Sequence, residues 1–94
     1  MRLFWTPEAL ADRRAIYDHI ETDNPAAALA LDELFSEKVS RLVDHPDLGL
    51  SGRVAGTREL VAQQNYILIY ATTADWVRIL RVLHAAKQWP PVRT

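Results

Sequence analysis

Cysteine is absent from the 94 residues, which excludes a disulfide framework, a thiolate metal site and a cysteine nucleophile. The three histidines are scattered, so a zinc site lacks a ligand set. Glycine occurs only as Gly49, Gly52 and Gly56. That spacing builds no phosphate cradle, and no dinucleotide fingerprint accompanies it. No apolar run is long enough to cross a bilayer, and the first residues lack the basic start and apolar stretch of a signal peptide. These gaps lead to an expectation of a cytoplasmic, soluble protein that uses neither metal nor cofactor and has no membrane partner.

Hydrophobic residues make up 49% of the chain and charged residues 24%, the balance of a folded globular protein rather than a disordered one. The length suits one domain over residues 1–94, because two would leave each half near the lower limit for an independent core. The net charge of −1 hides a division. Residues 1–47 carry five basic and ten acidic side chains, a net of −5, whereas residues 48–94 carry six basic and two acidic ones, a net of +4. Two explanations compete: the halves neutralise each other across the fold, or the basic half meets nucleic acid or an acidic protein segment.

Arg2-Leu3-Phe4-Trp5 reads as a short strand. In Thr6-Pro7-Glu8, Thr6 caps free N–H groups, Pro7 has a preset φ, and Glu8 suits the positive end of a helix dipole. Ala9, Leu10, Ile16, Tyr17 and Ile20 follow at helical spacing as an apolar stripe. Asn24-Pro25 repeats the start signal, and Ala28, Leu31, Phe35, Val39 and Leu42 mark a second amphipathic helix ending near His45-Pro46. The short link makes the helices a hairpin. Asp47, Gly49, Ser51 and Gly52 then read as a loop. Residues 58–62, 66–70 and 76–83 are rich in β-branched and aromatic residues and read as strands, with a turn at Asn65 and a hairpin loop over 72–75. The run Tyr66–Tyr70 suits a strand buried on both faces. The prolines of the tail, residues 88–94, keep it out of a central strand. Segregated helices and strands define an α+β fold. The expected architecture is an N-terminal short strand, a helical hairpin and then three to four strands, the hairpin packing on one face of a mainly antiparallel sheet whose other face is partly open for function.

Ser51 and His84 lack an orienting carboxylate or an oxyanion motif, which argues against a serine hydrolase. A metal-free ribonuclease needs a proton-transfer group and cations. His84, Glu59, Arg58 and Arg78 supply those types, with Tyr66 or Tyr70 and Arg81 as further members. Each has an ordinary alternative: His84 as a hydrogen-bonding strand-end residue, the tyrosines as strand formers, and Glu59 and Arg58 as cross-strand partners. On a regular strand Arg78 shares its side with His84 and opposes Arg81. Gly56, just before Thr57-Arg58, suits a turn or bulge. Trp89-Pro90 either anchors the tail or offers a rigid contact to a partner.

Four segments together resemble the RelE/ParE superfamily of type II toxin–antitoxin toxins. They are Asn24-Pro25-Ala26-Ala27, residues 56–61 (Gly56 to Val61), residues 65–70 (Asn65 to Tyr70) and residues 82–90 (Val82 to Pro90). The resemblance implies an α+β toxin neutralised by a cognate antitoxin that itself binds operator DNA, so that the toxin meets DNA only indirectly. It also implies a homodimer or a larger toxin–antitoxin assembly as a possible state. In the ribonuclease branch an arginine commonly follows the residue opening the strand matched by 66–70. Here it is Ile67, and the preceding strand, Leu60 to Gln64, holds no cation. An RNA substrate thereby loses two expected contacts. The segment also ends in Trp89-Pro90 rather than a catalytic tyrosine. The resemblance therefore favours a ParE-like toxin without a catalytic site, one that binds a protein target, DNA gyrase in that branch. Arg58, Arg78, Lys87 and Trp89 are the expected partner contacts. The alternative is a ribosome-dependent mRNA endoribonuclease using His84, Glu59, Arg58 and Arg78.

Overall fold

A computed structural model describes residues 1–91; Val92, Arg93 and Thr94 of the tail lie outside the described residues. The element order is β1 (Arg2–Trp5), α1 (Pro7–Glu21), α2 (Pro25–Asp44), β2 (Leu50–Ser51), β3 (Arg58–Gln63), β4 (Tyr66–Thr72) and β5 (Trp76–His84). The strands form one mixed sheet in the order β1-β5-β4-β3-β2. The sheet is antiparallel except for β1, which pairs parallel to β5. With β1 before the helices and four strands after them, it matches the upper end of the expectation. The short β2 lies within the segment expected as a loop, where Leu50 and Ser51 pair with Glu59 and Arg58.

Both helices start as their caps dictate. The Thr6 hydroxyl accepts from the Ala9 N–H at 3.0 Å, and the Asn24 side chain accepts from the Ala27 N–H at 3.1 Å, with proline next in each case. Ala28, Leu31, Phe35, Val39 and Leu42 are the buried residues of α2, as the spacing required. In α1 only Ala9 is buried, with Ile16 and Ile20 packed against the core, while Leu10 is 51% exposed. Ala9, Ile16 and Ile20 define the inward face, and one residue of helix rotates Leu10 about 100° away from Ala9. The expected stripe was thus too wide by Leu10 and Tyr17, which lie together beside the inward face.

The core forms between the helices and the face of the sheet carrying Leu68, Tyr70, Val77, Ile79 and Val82. Ile67 through Tyr70 are all buried, as a central strand demands. Arg13 fastens three elements. Its Nε and NH2 reach both Asp32 carboxylate oxygens at 2.6 and 3.1 Å, NH2 also donates to the Ser36 hydroxyl, and its guanidinium lies 4.9 Å from the centre of the Trp5 ring. The planar fork makes such a bidentate contact possible where a lysine could not. No helix among the described residues is long and apolar enough to cross a membrane.

One irregularity redistributes the candidate residues. Ile69 pairs with Arg81 and Tyr70 with Ile79, leaving Leu80 as an extra residue in β5. The bulge shifts the alternation by one. Ile79 and Val82, three apart, both enter the core. Arg78 and Arg81 therefore share the face turned away from the helices, where their partners Ala71 and Ile69 lie, whereas His84 pairs with Tyr66 on the helix side. This corrects the regular-strand expectation, which placed Arg78 with His84 and opposite Arg81. Nothing in the residue types of β5 signalled the bulge.

Candidate functional site

The helix-free face of the sheet carries two regions of different chemistry. At the β2–β3 end, Leu50, Val61, Ile67 and Ala85 line a groove of about 400 Å³ with Ser51, Arg53, Glu59, Gln64 and Tyr66 at its margins. Leu50 is 80% exposed and Val61 63%, so the groove has apolar walls and is open to solvent. At the β1–β5 end the register places Arg2 opposite Trp76 and Phe4 opposite Arg78. The Arg2 guanidinium lies 5.3 Å from the Phe4 ring centre and that of Arg78 4.8 Å from Trp76.

Arg58 sits at the start of β3, opposite Tyr70 and hence on the helix side. Its NH1 donates to the Gly49 carbonyl at 2.8 Å and reaches the Asp47 carbonyl at 3.5 Å. The fully buried Tyr70 completes the arrangement: its hydroxyl accepts from the Gly49 N–H at 2.8 Å and donates to the Pro46 carbonyl at 2.9 Å. Together these groups hold the Pro46–Gly49 loop from which β2 springs. Burial raises the Tyr70 pKa above 10.0, and an acidic contribution from Asp47 adds to it; the Gly49 N–H and Arg58 act against both. The unfolded chain therefore loses this proton first, and stability declines as the pH climbs past 10.0. Denaturant melts on either side of that pH are expected to show the decline reduced in Tyr70→Phe.

Glu59 projects from the opposite side of β3. It accepts from the Arg53 N–H at 2.9 Å, lies 3.4 Å from the Arg53 guanidinium, and so closes the Gly52–Thr57 loop. Gly56 turns that loop at φ +81°, a conformation glycine adopts without strain. His84 meets the Tyr66 ring edge-on at 5.2 Å between centroids, and its Nδ1 accepts from the Ala86 N–H at 3.1 Å. Lys87 is exposed in the turn that follows. Trp89 is half-buried, with Arg81 5.7 Å from its ring centre and its indole nitrogen enclosed without a hydrogen-bond acceptor. It anchors the tail.

The four candidates for a ribonuclease site are thus dispersed. Arg58 and His84 belong to the helix side, Glu59 and Arg78 to the other. Arg78 and His84 are six positions apart along β5, about 20 Å of extended chain. Asp12, which the sequence did not single out, is a structural hub. Beyond Trp5 the chain leaves the sheet as α1 and uncovers the edge of β5. Asp12 fills that edge, accepting from the Val82 N–H at 3.0 Å and from Arg81 Nε and NH2 at 2.6 and 2.9 Å. The paired carboxylate raises the Arg81 pKa above its usual value. Among the described residues it makes the one ion pair joining the acidic and basic halves of the chain. Arg2 and Phe4 were missed as well; the alternation within residues 2–5, once paired with β5, is the signal that locates them.

Comparisons with known proteins agree with this architecture. The family described as the ParE toxin of the type II toxin–antitoxin system parDE matches residues 3–89. The chain is 41% identical over 92 residues to a putative toxin, Y4kP, of Sinorhizobium fredii, covering 97% of this chain and 95% of that one. It is 34% identical over 86 residues to toxin RelE2 of Caulobacter vibrioides, covering 92% and 97%. Among solved structures, a chain of the chromosomal ParDE system of P. aeruginosa superposes with a TM-score of 0.79 at 31% identity, covering 89% of this chain and 95% of that one. A YoeB/ParE toxin from Agrobacterium tumefaciens shares the fold, with a TM-score of 0.63 at 15% identity over 89% and 98% of the two chains. With two helices laid on a five-stranded sheet, and with relatives matched over nearly their whole length, the chain belongs to the ParE toxin family of type II toxin–antitoxin systems.

Proposed function

We propose that this toxin arrests growth in the cytoplasm by binding a protein target, DNA gyrase, and that a cognate antitoxin neutralises it. The observation that carries the reading is the dispersal of the candidate proton-transfer and phosphate-binding groups over two faces of the sheet, while Arg2 and Arg78 stand on the open face without an ion-pair partner among the described residues. A phosphoryl-transfer site requires such groups to converge on one reacting atom; a binding surface requires only display. Arg78 and Lys87 are the proposed partner contacts. Arg58 and Trp89, the other two expected contacts, act indirectly, Arg58 by holding the loop at the β2 end and Trp89 by holding the tail. Operator DNA is reached through the antitoxin, and a toxin dimer or a larger toxin–antitoxin assembly is compatible with the open β1 edge. Purified toxin is expected to inhibit gyrase supercoiling in proportion to its concentration, and unimpeded supercoiling at excess toxin would refute the gyrase assignment.

The ribonuclease reading retains one specific support. His84 Nδ1 accepts from the Ala86 N–H, which puts the proton of the neutral ring on Nε2, a donor that a phosphate oxygen could take. Transcript 5′ ends mapped after induction separate the two readings: new ends that vanish in His84→Gln mean cleavage, and an unchanged map means binding.

A further inference from the structure

Arg2, Phe4, Trp76 and Arg78 form a checkerboard. Along each strand a guanidinium covers the ring two residues away, and across the β1–β5 pairing each arginine stands opposite an aromatic residue. Arg2, Phe4 and Arg78 are exposed and Trp76 is half-buried. The square measures roughly 7 Å along the strands and 5 Å across them. Neither arginine has a carboxylate partner among the described residues, although Asp75 is next to Trp76 in the adjoining loop. A guanidinium laid on a ring keeps its in-plane N–H donors free while losing much of its rotational freedom, so it is pre-organised for a carboxylate. Arginine and aromatic side chains are also the residues that concentrate binding energy at protein interfaces.

From this geometry we infer that the checkerboard docks an acidic segment of the toxin's protein target, as a surface on which antitoxin binding does not depend. The inference rests on the reading of a protein target and specifies where and how that target is engaged. Charge selects the occupant: two cations without an ion-pair partner among the described residues, set among rings beside the half-buried Ala71 of β4, match a short acidic peptide. They do not extend into the line of cations that tracks a nucleic-acid backbone. Chemistry also separates this site from the groove of Leu50, Val61, Ile67 and Ala85, which spans β2 to β4 and lies toward the other end of β5. A lasting inhibitor complex favours apolar burial of the kind that groove offers, whereas a charged patch gives a fast, salt-sensitive encounter.

The test measures two quantities on the same variants: the inducer dose needed for growth arrest, and the affinity of purified toxin for its antitoxin. For R2E/R78E, growth arrest is expected to require at least about tenfold more toxin, with antitoxin affinity changed by less than about threefold. Phe4→Ala and Trp76→Ala shift arrest in the same direction, and R2K/R78K, which keeps the charge, retains most of it. Retained antitoxin affinity shows that each variant is folded. Unaltered growth arrest in R2E/R78E overturns the inference. So does a parallel loss of antitoxin affinity, which would make the patch antitoxin surface, and so does loss of transcript cleavage, which would make it a nucleic-acid site. If wild-type toxin leaves supercoiling intact while R2E/R78E still relieves arrest, the gyrase assignment fails and the patch stands. If R2E/R78E inhibits gyrase as well as the wild type does, the patch fails and the gyrase assignment stands.

Discussion

Asp12→Ala is expected to destabilise the toxin by about 2–4 kcal/mol, the range for removing one partner of a mostly buried, hydrogen-bonded charge pair. Three hydrogen bonds end on this carboxylate, two from Arg81 and one from the Val82 N–H. The side chains are 14% and 23% exposed, so the released guanidinium recovers part of its hydration and the loss stays below that of a fully enclosed pair. Val82 has no other strand beside it on the edge vacated by β1, and its N–H loses its acceptor. Asp12→Asn keeps an acceptor for that N–H and is expected to lose about half as much. Arg14→Ala, which removes a pair with Asp18 whose members are 82% and 61% exposed, is the control and should change stability by less than about 0.5 kcal/mol. Thermal melting checks the order, since each kcal/mol moves the midpoint of a domain this size by about 4–8 °C. Hydrogen exchange at Val82 should rise in Asp12→Ala alone.

The contrast between Asp12 and Arg14 also marks what a sequence discloses. Helix α2 was legible because its five buried positions repeat at steps of three and four and its cap is stated outright in Asn24-Pro25. Strand β4 was legible because residues 66–70 are apolar throughout. The site was far less so. Arg78 and Arg81 look like members of opposite faces until Leu80 is seen to bulge, and a bulge arises from the pairing of two strands rather than from the residues of one. Strand β2 is two residues long and exists only because Tyr70 and Arg58, 20 and 8 positions downstream of Leu50, hold the loop before it. Asp12 reads as one more acid on a solvated helix face, because its role depends on where β1 ends against β5. The charge division of the chain was visible at once, yet of the five ion pairs among the described residues only Asp12–Arg81 spans it. Arg78 and Lys87 of the basic half form no ion pair among the described residues, so close pairing neutralises only a small part of the division.

Gly49→Ala is expected to cost about 2–4 kcal/mol, combining overpacking with the loss of a buried hydrogen bond. A Cβ at this position would stand 2.7 Å from the Tyr70 hydroxyl, 2.8 Å from Tyr70 Cε1 and 2.8 Å from the Glu59 carbonyl oxygen. None of these atoms can yield cheaply. Tyr70 is fully enclosed, and the Glu59 carbonyl belongs to a strand paired on both sides. The loop itself must lift, which breaks the Gly49 N–H contact with Tyr70 and the Arg58 contact with the Gly49 carbonyl. Tyr70→Phe removes only the hydroxyl, leaving the Gly49 N–H and Pro46 carbonyl unpartnered at a cost of about 1–3 kcal/mol. Because both substitutions break the same hydrogen bond, the double variant should lose less than the sum of the two, and a double-mutant cycle by urea denaturation measures the shortfall. Additive losses would mean that the glycine and the tyrosine act independently. The loop leads directly into Leu50 and Ser51, which line the apolar groove. Gly49→Ala should therefore weaken whatever occupies that groove while leaving the Arg2–Arg78 checkerboard at the far edge of the sheet unchanged.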